Sequence, residues 1–375
     1  MFVINSLAGG GAERVFTTLV RELNGADRGF AITVALLDEE AEEAYHLPPG
    51  IPVERLDTRG GLLRSVTQLR RLVWRLRPDV TVSFLSRANV AAVVAMRRTG
   101  GPAVISERVN TTAHLKSGRF GFLSRLLIRR TYPSARKIIA VSEGVAQTLE
   151  ADFSVERERI CVIYNPVDLE RIRAMAAKPP EIEVFADDFV TVGRLVANKN
   201  TAMAIRALAA SQSQGRLIVL GEGPLRDDLA ALAAALGVAD RVLLAGFVAN
   251  PYAVLARAGC YLLTSNAEGF PNAMLEAMAS GLPVVAADCP SGPAEILQVS
   301  LDGENPAFGT GGALVAMNDH VAMARCMDRL VEPIVRDVCV QQGQARVDAF
   351  SVTRAVEAFR DTILSATAGN GVLPG

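Results

Sequence analysis

The stretch "CYLLTSNAEGFPNAMLEAMASGLPVVAA", Cys260–Ala287, carries the architecture in miniature. Cys260–Thr264 is a short, continuous apolar run, and Val284–Ala287 is another. Between them, residues 273–280 repeat apolar side chains at helical spacing, with Asn272 read as the N-cap and Gly281 as the residue just past the end. Strand, helix and strand, each strand apolar throughout, is the signature of a parallel sheet covered on both faces.

The same unit recurs in both directions. Asp188–Val192, Leu217–Leu220 and Val242–Ala245 read as further strands, with helices at 200–210, 225–236 and 252–257 between them. An earlier series begins at Phe2–Leu7, closed by Gly9-Gly10-Gly11. It continues through Ala31–Leu37, Asp79–Leu85, Ala103–Ser106 and Ile138–Val141, with helices at 12–24, 62–76 and 88–96. A chain of 375 residues is too long for one ordinary domain. The break falls near "CVIYNPVD", residues 161–168, where Pro166 disfavours helix at Asn165. The expected organisation is residues 1–165, residues 166–350, a C-terminal helix over 351–366 that crosses back to the first domain, and a flexible tail, 367–375. Charge supports the division: residues 1–165 hold 23 Lys/Arg against 17 Asp/Glu, and residues 166–375 hold 16 against 23.

Composition excludes several classes. The five cysteines are scattered, never in C-x-x-C, which fits free thiols in a reducing cytosol. No basic, apolar leader opens the chain, and no run of about 18 apolar residues is present, so neither a signal peptide nor a membrane span is expected. Neither Gly9–Arg14 nor Gly221–Arg226 completes a dinucleotide fingerprint, because arginine stands at the third glycine position. No Gly-Lys pair makes a Walker loop. Asp187-Asp188 reads as a turn before a strand rather than a metal site, and the three histidines lack a nucleophile-elbow context.

In open α/β sheets ligands bind beyond the carboxyl ends of strands. Glu268 follows such an end, and Glu276 lies one turn inside the next helix, whose free N–H groups favour a phosphate. Two carboxylates can each hold a vicinal diol, so the spacing suits a nucleotide-sugar: sugar at Glu268, diphosphate at the loop, ribose at Glu276. Alone, these would read as ordinary surface glutamates. Arg194 and Lys199 change the balance, because they follow the strand Val190–Val192 and a departing diphosphate needs positive charge.

The segments "GGGAE", "VGRLVANKN", "VLGEGP", "AGFVANPYAVLARA" and "EGFPNAMLEAMASGLPVVAADCPSGPAEIL" together resemble glycosyltransferase family 4. The resemblance spans essentially the whole chain and is densest over 190–297. It implies the GT-B fold, two Rossmann-like doubly wound domains facing across a cleft, and a retaining transferase that uses neither metal nor cofactor. In that pattern Arg194 and Lys199 bind the donor diphosphate, Glu268 holds sugar hydroxyls and Glu276 the ribose. Gly193 and the backbone of Gly269, Phe270, Pro271 and Asn272 line the donor, and Gly10 and Gly11 form the glycine loop of the first domain. Many members carry a histidine near the sugar where this chain reads "ISERVN", and His114 is not aligned to it. Glu107, Arg108 or Asn110 is expected to take that contact. The first strand also starts nearer Met1 than is usual for the family, which leaves open a start further upstream.

From Arg108 to Ser142 the chain has eight Lys/Arg and no acid, with Phe120, Phe122, Leu123, Leu126, Leu127 and Ile128 interleaved. Residues 108–137 are therefore expected to dock on an anionic membrane. Arg59–Arg77, with six arginines and no acid, divides evenly between such a role and a solvated helix face. Sparse aromatics and a net charge of −1 argue against nucleic acid. The expectation is transfer of a hexose or N-acetylhexosamine from a UDP-sugar to a saccharide on a polyprenyl diphosphate, by a peripheral enzyme on the inner face of a bacterial cytoplasmic membrane. The alternatives are a nucleotide-sugar epimerase or hydrolase and a non-catalytic nucleotide-sugar-binding subunit.

Overall fold

A computed structural model describes residues 1–25, 28–40, 43–97, 99–112 and 121–368. His114, Lys116, Arg119 and Phe120 lie outside the described residues, as does the tail from 369 onward. The chain divides into two compact units, Met1–Pro166 with Val352–Gly375, and Val167–Ser351.

The first unit runs β1 (Phe2–Ile4), α1 (Gly11–Leu23), β2 (Val34–Leu36), β3 (Val53–Arg55), α2 (Leu62–Leu76), β4 (Thr81–Phe84) and α3 (Ser86–Met96). It continues with β5 (Ala103–Glu107), α4 (Gly121–Thr131), β6 (Lys137–Ala140), α5 (Glu143–Phe153) and β7 (Ile160–Val162). The strands pair in the order β3-β2-β1-β4-β5-β6-β7, all parallel. Helix α1 buries Val15, Phe16, Leu19, Val20 and Leu23, the face that helical periodicity dictates.

The second unit runs α6 (Leu169–Ala176), β8 (Phe189–Val192), α7 (Thr201–Ala210), β9 (Leu217–Leu220), α8 (Arg226–Ala235), β10 (Val242–Gly246) and α9 (Pro251–Leu255). After these come β11 (Cys260–Leu263), α10 (Asn272–Ala279), β12 (Val284–Ala287), α11 (Pro293–Leu297), β13 (Ala307–Gly309), β14 (Gly312–Val315), α12 (His320–Leu330) and α13 (Pro333–Val347). The order is β10-β9-β8-β11-β12-β14-β13, parallel except for the β13–β14 hairpin.

Helix α14 (Val352–Thr367) belongs to the first unit. Its Ala355, Val356, Phe359, Ile363 and Ala366 join that unit's core, where Phe359 stacks on Phe84 at 5.9 Å and Phe84 meets Phe16 edge-on at 5.3 Å. Between the expected strand Val284–Ala287 and this helix the structure adds α11, β13, β14, α12 and α13, which the sequence pattern did not announce.

Candidate active site

Three loops leave the carboxyl ends of β8, β11 and β14, and side-chain amides tie them together. Asn198 donates to the Ala267 carbonyl at 2.9 Å, and Asn266 donates to that of Ala197 at 3.1 Å. Asn200 donates to the Asn318 side chain at 2.9 Å, and both residues sit in the left-handed region that asparagine tolerates better than most. The Thr264 hydroxyl donates to the Lys199 carbonyl at 2.8 Å. These bonds fix the backbone under Lys199.

The result is an ion pair: Lys199 Nζ lies 2.6 Å from Glu268 Oε1, with the carboxylate only 13% exposed and the ammonium 32%. Arg194 is exposed and has no ion-pair partner among the described residues. Gly193, just before it, has φ +159°, and the loop turns there away from β8. Behind it, Gly221 carries φ +145°, and a Cβ at that position would stand 2.0 Å from the Gly193 carbonyl oxygen. Only glycine lets the loops after β8 and β9 approach so closely.

Gly269, Phe270 and Pro271 are buried, and Asn272 is half-buried. Phe270 packs edge-on against Phe350 at 5.3 Å, which anchors this segment to the turn Asp348–Phe350 that follows α13. The expected cap is corrected: Pro271 occupies the capping position, without a side-chain cap bond, and Asn272 opens the helix. A proline there sacrifices no helical N–H. Gly281, at φ +86°, does end α10 in the left-handed conformation. Glu276 is buried within α10. Tyr261 on β11 is wholly buried, and its phenol is raised far above its usual range, by burial first and then by the negative charge of Glu268 and Glu276. Burial likewise pushes the Cys289 thiol up to about 12, which keeps it from acting as a thiolate.

In the first unit, Gly10 and Gly11 are exposed at the start of α1, with Gly10 at φ +154°. The three residues read as sugar contacts are largely interior. Glu107, at the end of β5, has no exposed surface and accepts the Tyr132 hydroxyl at 2.5 Å. Burial pushes its carboxyl up to about 7, against the downward pull of that bond. Arg108 is inside as well, bonded to Asn165 and over the Phe84 ring, which corrects its reading as a surface cation. Asn110, 7% exposed, donates to Thr148 at 3.2 Å. A carboxylate enclosed with its own partner is not placed to meet a sugar, so the assignment of Glu107 is corrected here.

The basic stretch is narrower than 108–137. Ile128 is buried and Lys137 donates to the Glu158 carbonyl, while Phe122, Leu123 and Leu126 stand exposed on α4 beside Arg125, Arg129 and Arg130. Arg125 is held by Asp152 at 3.0 Å. No helix among the described residues is long and apolar enough to cross a membrane.

Sequence reasoning missed Thr264, Asn198, Asn200, Asn266 and Asn318. Their signal was available, since asparagines cluster just past two of the strand ends, but their partners lie 65 or more positions away.

Two family models match, "Glycosyltransferase Family 4" over residues 9–171 and "Glycosyl transferases group 1" over 186–333. A Campylobacter jejuni protein described as N-acetylgalactosamine-N,N'-diacetylbacillosaminyl-diphospho-undecaprenol 4-alpha-N-acetylgalactosaminyltransferase is 30% identical over 325 residues, 81% of this chain and 87% of that one. The lipopolysaccharide outer core galactosyltransferase WaaB, in its apo form, matches with a TM-score of 0.74 at 20% identity, over 97% of this chain and 98% of the other. HepE of Anabaena, solved with UDP and glucose, matches with a TM-score of 0.75 at 20% identity, over 97% and 99%. The two parallel-sheet units thus have the GT-B fold.

Proposed function

The chain belongs to the family 4 glycosyltransferases, and on that premise we propose that it moves a hexose or N-acetylhexosamine from a UDP-sugar to a saccharide acceptor with retention of anomeric configuration. The observation that carries the reading is the pairing of Lys199 with Glu268 at the carboxyl edge of the second sheet, with Arg194 left without an ion-pair partner among the described residues, earlier in the same loop as Lys199.

Arg194 and Lys199 neutralise the diphosphate as it departs. Glu268 holds sugar hydroxyls, Glu276 holds the ribose, and the first-turn N–H groups of α10 face the phosphates. The acceptor hydroxyl oxygen bonds to the anomeric carbon on the face from which the diphosphate leaves. The bond from that carbon to the diphosphate oxygen breaks, and the acceptor proton passes to a diphosphate oxygen. Two cations then do the work that a divalent ion does elsewhere, and no protein nucleophile takes part.

The acceptor we assign is a saccharide on a polyprenyl diphosphate, used in building a bacterial surface glycan at the inner face of the cytoplasmic membrane. The name of the Campylobacter relative, which includes diphospho-undecaprenol, supports that class. The exposed Phe122, Leu123 and Leu126 beside Arg129 and Arg130 give the first unit a peripheral contact with anionic lipid.

The test offers a panel of UDP- and GDP-sugars with membrane lipid extract and measures nucleotide release and the anomeric configuration of the product. UDP release that requires the lipid fraction, with retention, is expected. Full release in water alone would identify a hydrolase instead.

A further inference from the structure

The solvent face of α2 takes no part in the reaction above. Its inner side buries Ser65, Leu69, Leu72 and Val73. Outward, Leu63, Thr67, Arg70 and Trp74 follow one another at steps of four, three and four, which places them on one stripe. Leu63 is 83% exposed and Trp74 is 70% exposed. A rise of about 1.5 Å per residue sets these two apolar groups about 16 Å apart.

Beside Leu63, on the side of α2 that faces the turn at Asp57–Arg59, lies a cleft of about 490 Å³ lined by Asp57, Arg59, Leu63, Arg64, Thr67, Gln68 and Arg71. Its single carboxylate, Asp57, is taken by Arg59 at 3.1 Å, and the Asp57 carbonyl accepts the Gln68 amide at 2.8 Å. Further along, Arg75 is neutralised by Glu54 at 2.6 Å. Arg64 and Arg71 have no ion-pair partner among the described residues, and both line the cleft. The cleft therefore has two uncompensated guanidinium groups with Leu63 at its edge, and Trp74 stands exposed one turn beyond Arg71 on the same helix.

We propose that α2 carries a binding site for the phosphate of an anionic membrane lipid, gripped by Arg64 and Arg71 while Leu63 and Trp74 enter the headgroup boundary. Guanidinium groups suit phosphate geometry, and tryptophan favours the membrane–water interface. A soluble anion would need the arginines but not the two exposed anchors. A protein partner would want a continuous apolar patch, and here the anchors are separated by charge. Helix α3 packs against both α2 and α4, so this face and the basic face of α4 belong to one helical layer of the first unit. The site is distinct from α4 and does not depend on the transferase reading, because α2 contributes no donor residue.

Trp74 is the only tryptophan in the chain, so its fluorescence reports on this face directly. Phosphatidylglycerol vesicles added to the full chain at low salt should shift its emission to the blue, and phosphatidylcholine vesicles should not. Arg64→Gln with Arg71→Gln should weaken that response about 25-fold, at roughly fivefold per cation near the surface. Arg129→Gln with Arg130→Gln should weaken pelleting with vesicles yet leave the Trp74 shift in place. Circular dichroism verifies that each variant is folded. The proposal is overturned if anionic vesicles leave Trp74 unchanged, if the Arg64/Arg71 variant responds like the wild type, or if inorganic phosphate alone gives the same shift. Vesicle binding without a Trp74 response would leave the α4 contact standing and remove this one.

Discussion

Lys199 and Glu268 are 69 positions apart in the chain and 2.6 Å apart in space, the one cationic and the other assigned to the donor sugar. Without a donor each satisfies the other. On the proposed assignment, a nucleotide-sugar entering this site would replace a carboxylate with a diphosphate at Lys199, and the displaced Glu268 would become available to sugar hydroxyls. The cost of freeing the ammonium is thus coupled to the creation of the sugar contact.

Lys199→Ala and Arg194→Ala are each expected to lower turnover by roughly a hundredfold or more. Loss of one group that stabilises developing charge costs about 2.7–4 kcal/mol. Steady-state rates near wild type in both variants would refute the assignment of the leaving-group cations.

The two glutamates should fail differently. Glu276→Ala should weaken binding of free UDP, because its carboxylate is assigned to the ribose. Glu268→Ala should bind UDP as well as or better than wild type, since Lys199 loses its internal counter-ion, and yet transfer no sugar. Calorimetric titration with UDP decides this, and the opposite order would exchange the two roles.

Activity should survive EDTA if, as proposed, Arg194 and Lys199 bring the charge that a divalent ion would otherwise supply. Complete loss on chelation, restored by Mg²⁺ or Mn²⁺, would mean that the two cations are insufficient.

Glu107 sets a pH dependence of stability. Burial raises its carboxyl from the ordinary 4.5 to about 7, so between those values the folded state keeps a proton that the unfolded chain releases. Its contribution is full below pH 4.5 and declines as pH rises to about 7. The loss amounts to roughly 3 kcal/mol, at about 1.36 kcal/mol per pH unit. Glu107→Gln removes the ionisation while leaving an acceptor for the Tyr132 hydroxyl. Its melting temperature relative to wild type should rise from pH 4.5 to about 7 and then level off. A difference that stays flat over this window would show that Glu107 does not titrate there.

Strands with both faces covered were the most legible part of the chain. Val190–Val192, Leu217–Leu220 and Val284–Ala287 are unbroken or nearly unbroken apolar runs because helices cover both sides of the sheet. The edge strand Val53–Arg55 escaped notice because its outer side meets water and it carries Glu54 and Arg55. The β13–β14 hairpin escaped as well, its strands being short, with glycines at the junction. The placement of Glu268 just past a strand end and of Glu276 in the following helix was legible, but the Lys199–Glu268 contact depends on amide bonds between three loops that no local pattern records. Glu107 misled for a related reason: a glutamate at a strand's carboxyl end reads as a rim group, and the tyrosine that draws it inward comes 25 positions later.

The return of α14 to the first unit reverses the order in which the two halves can be finished on the ribosome. All seven strands of the first sheet have been synthesised by Val162, yet the core around Phe84 lacks Phe359 until the chain has passed through Val167–Ser351 and emerged again. At the usual pace of elongation, synthesis from Pro166 to Thr367 takes on the order of 10–40 s. Over that interval the earlier-made half carries an uncovered apolar seam, whereas the later-made half has every segment that it needs as soon as Ser351 is added. The half that begins translation is the last to close, and a nascent chain stalled before residue 352 would present that seam to chaperones.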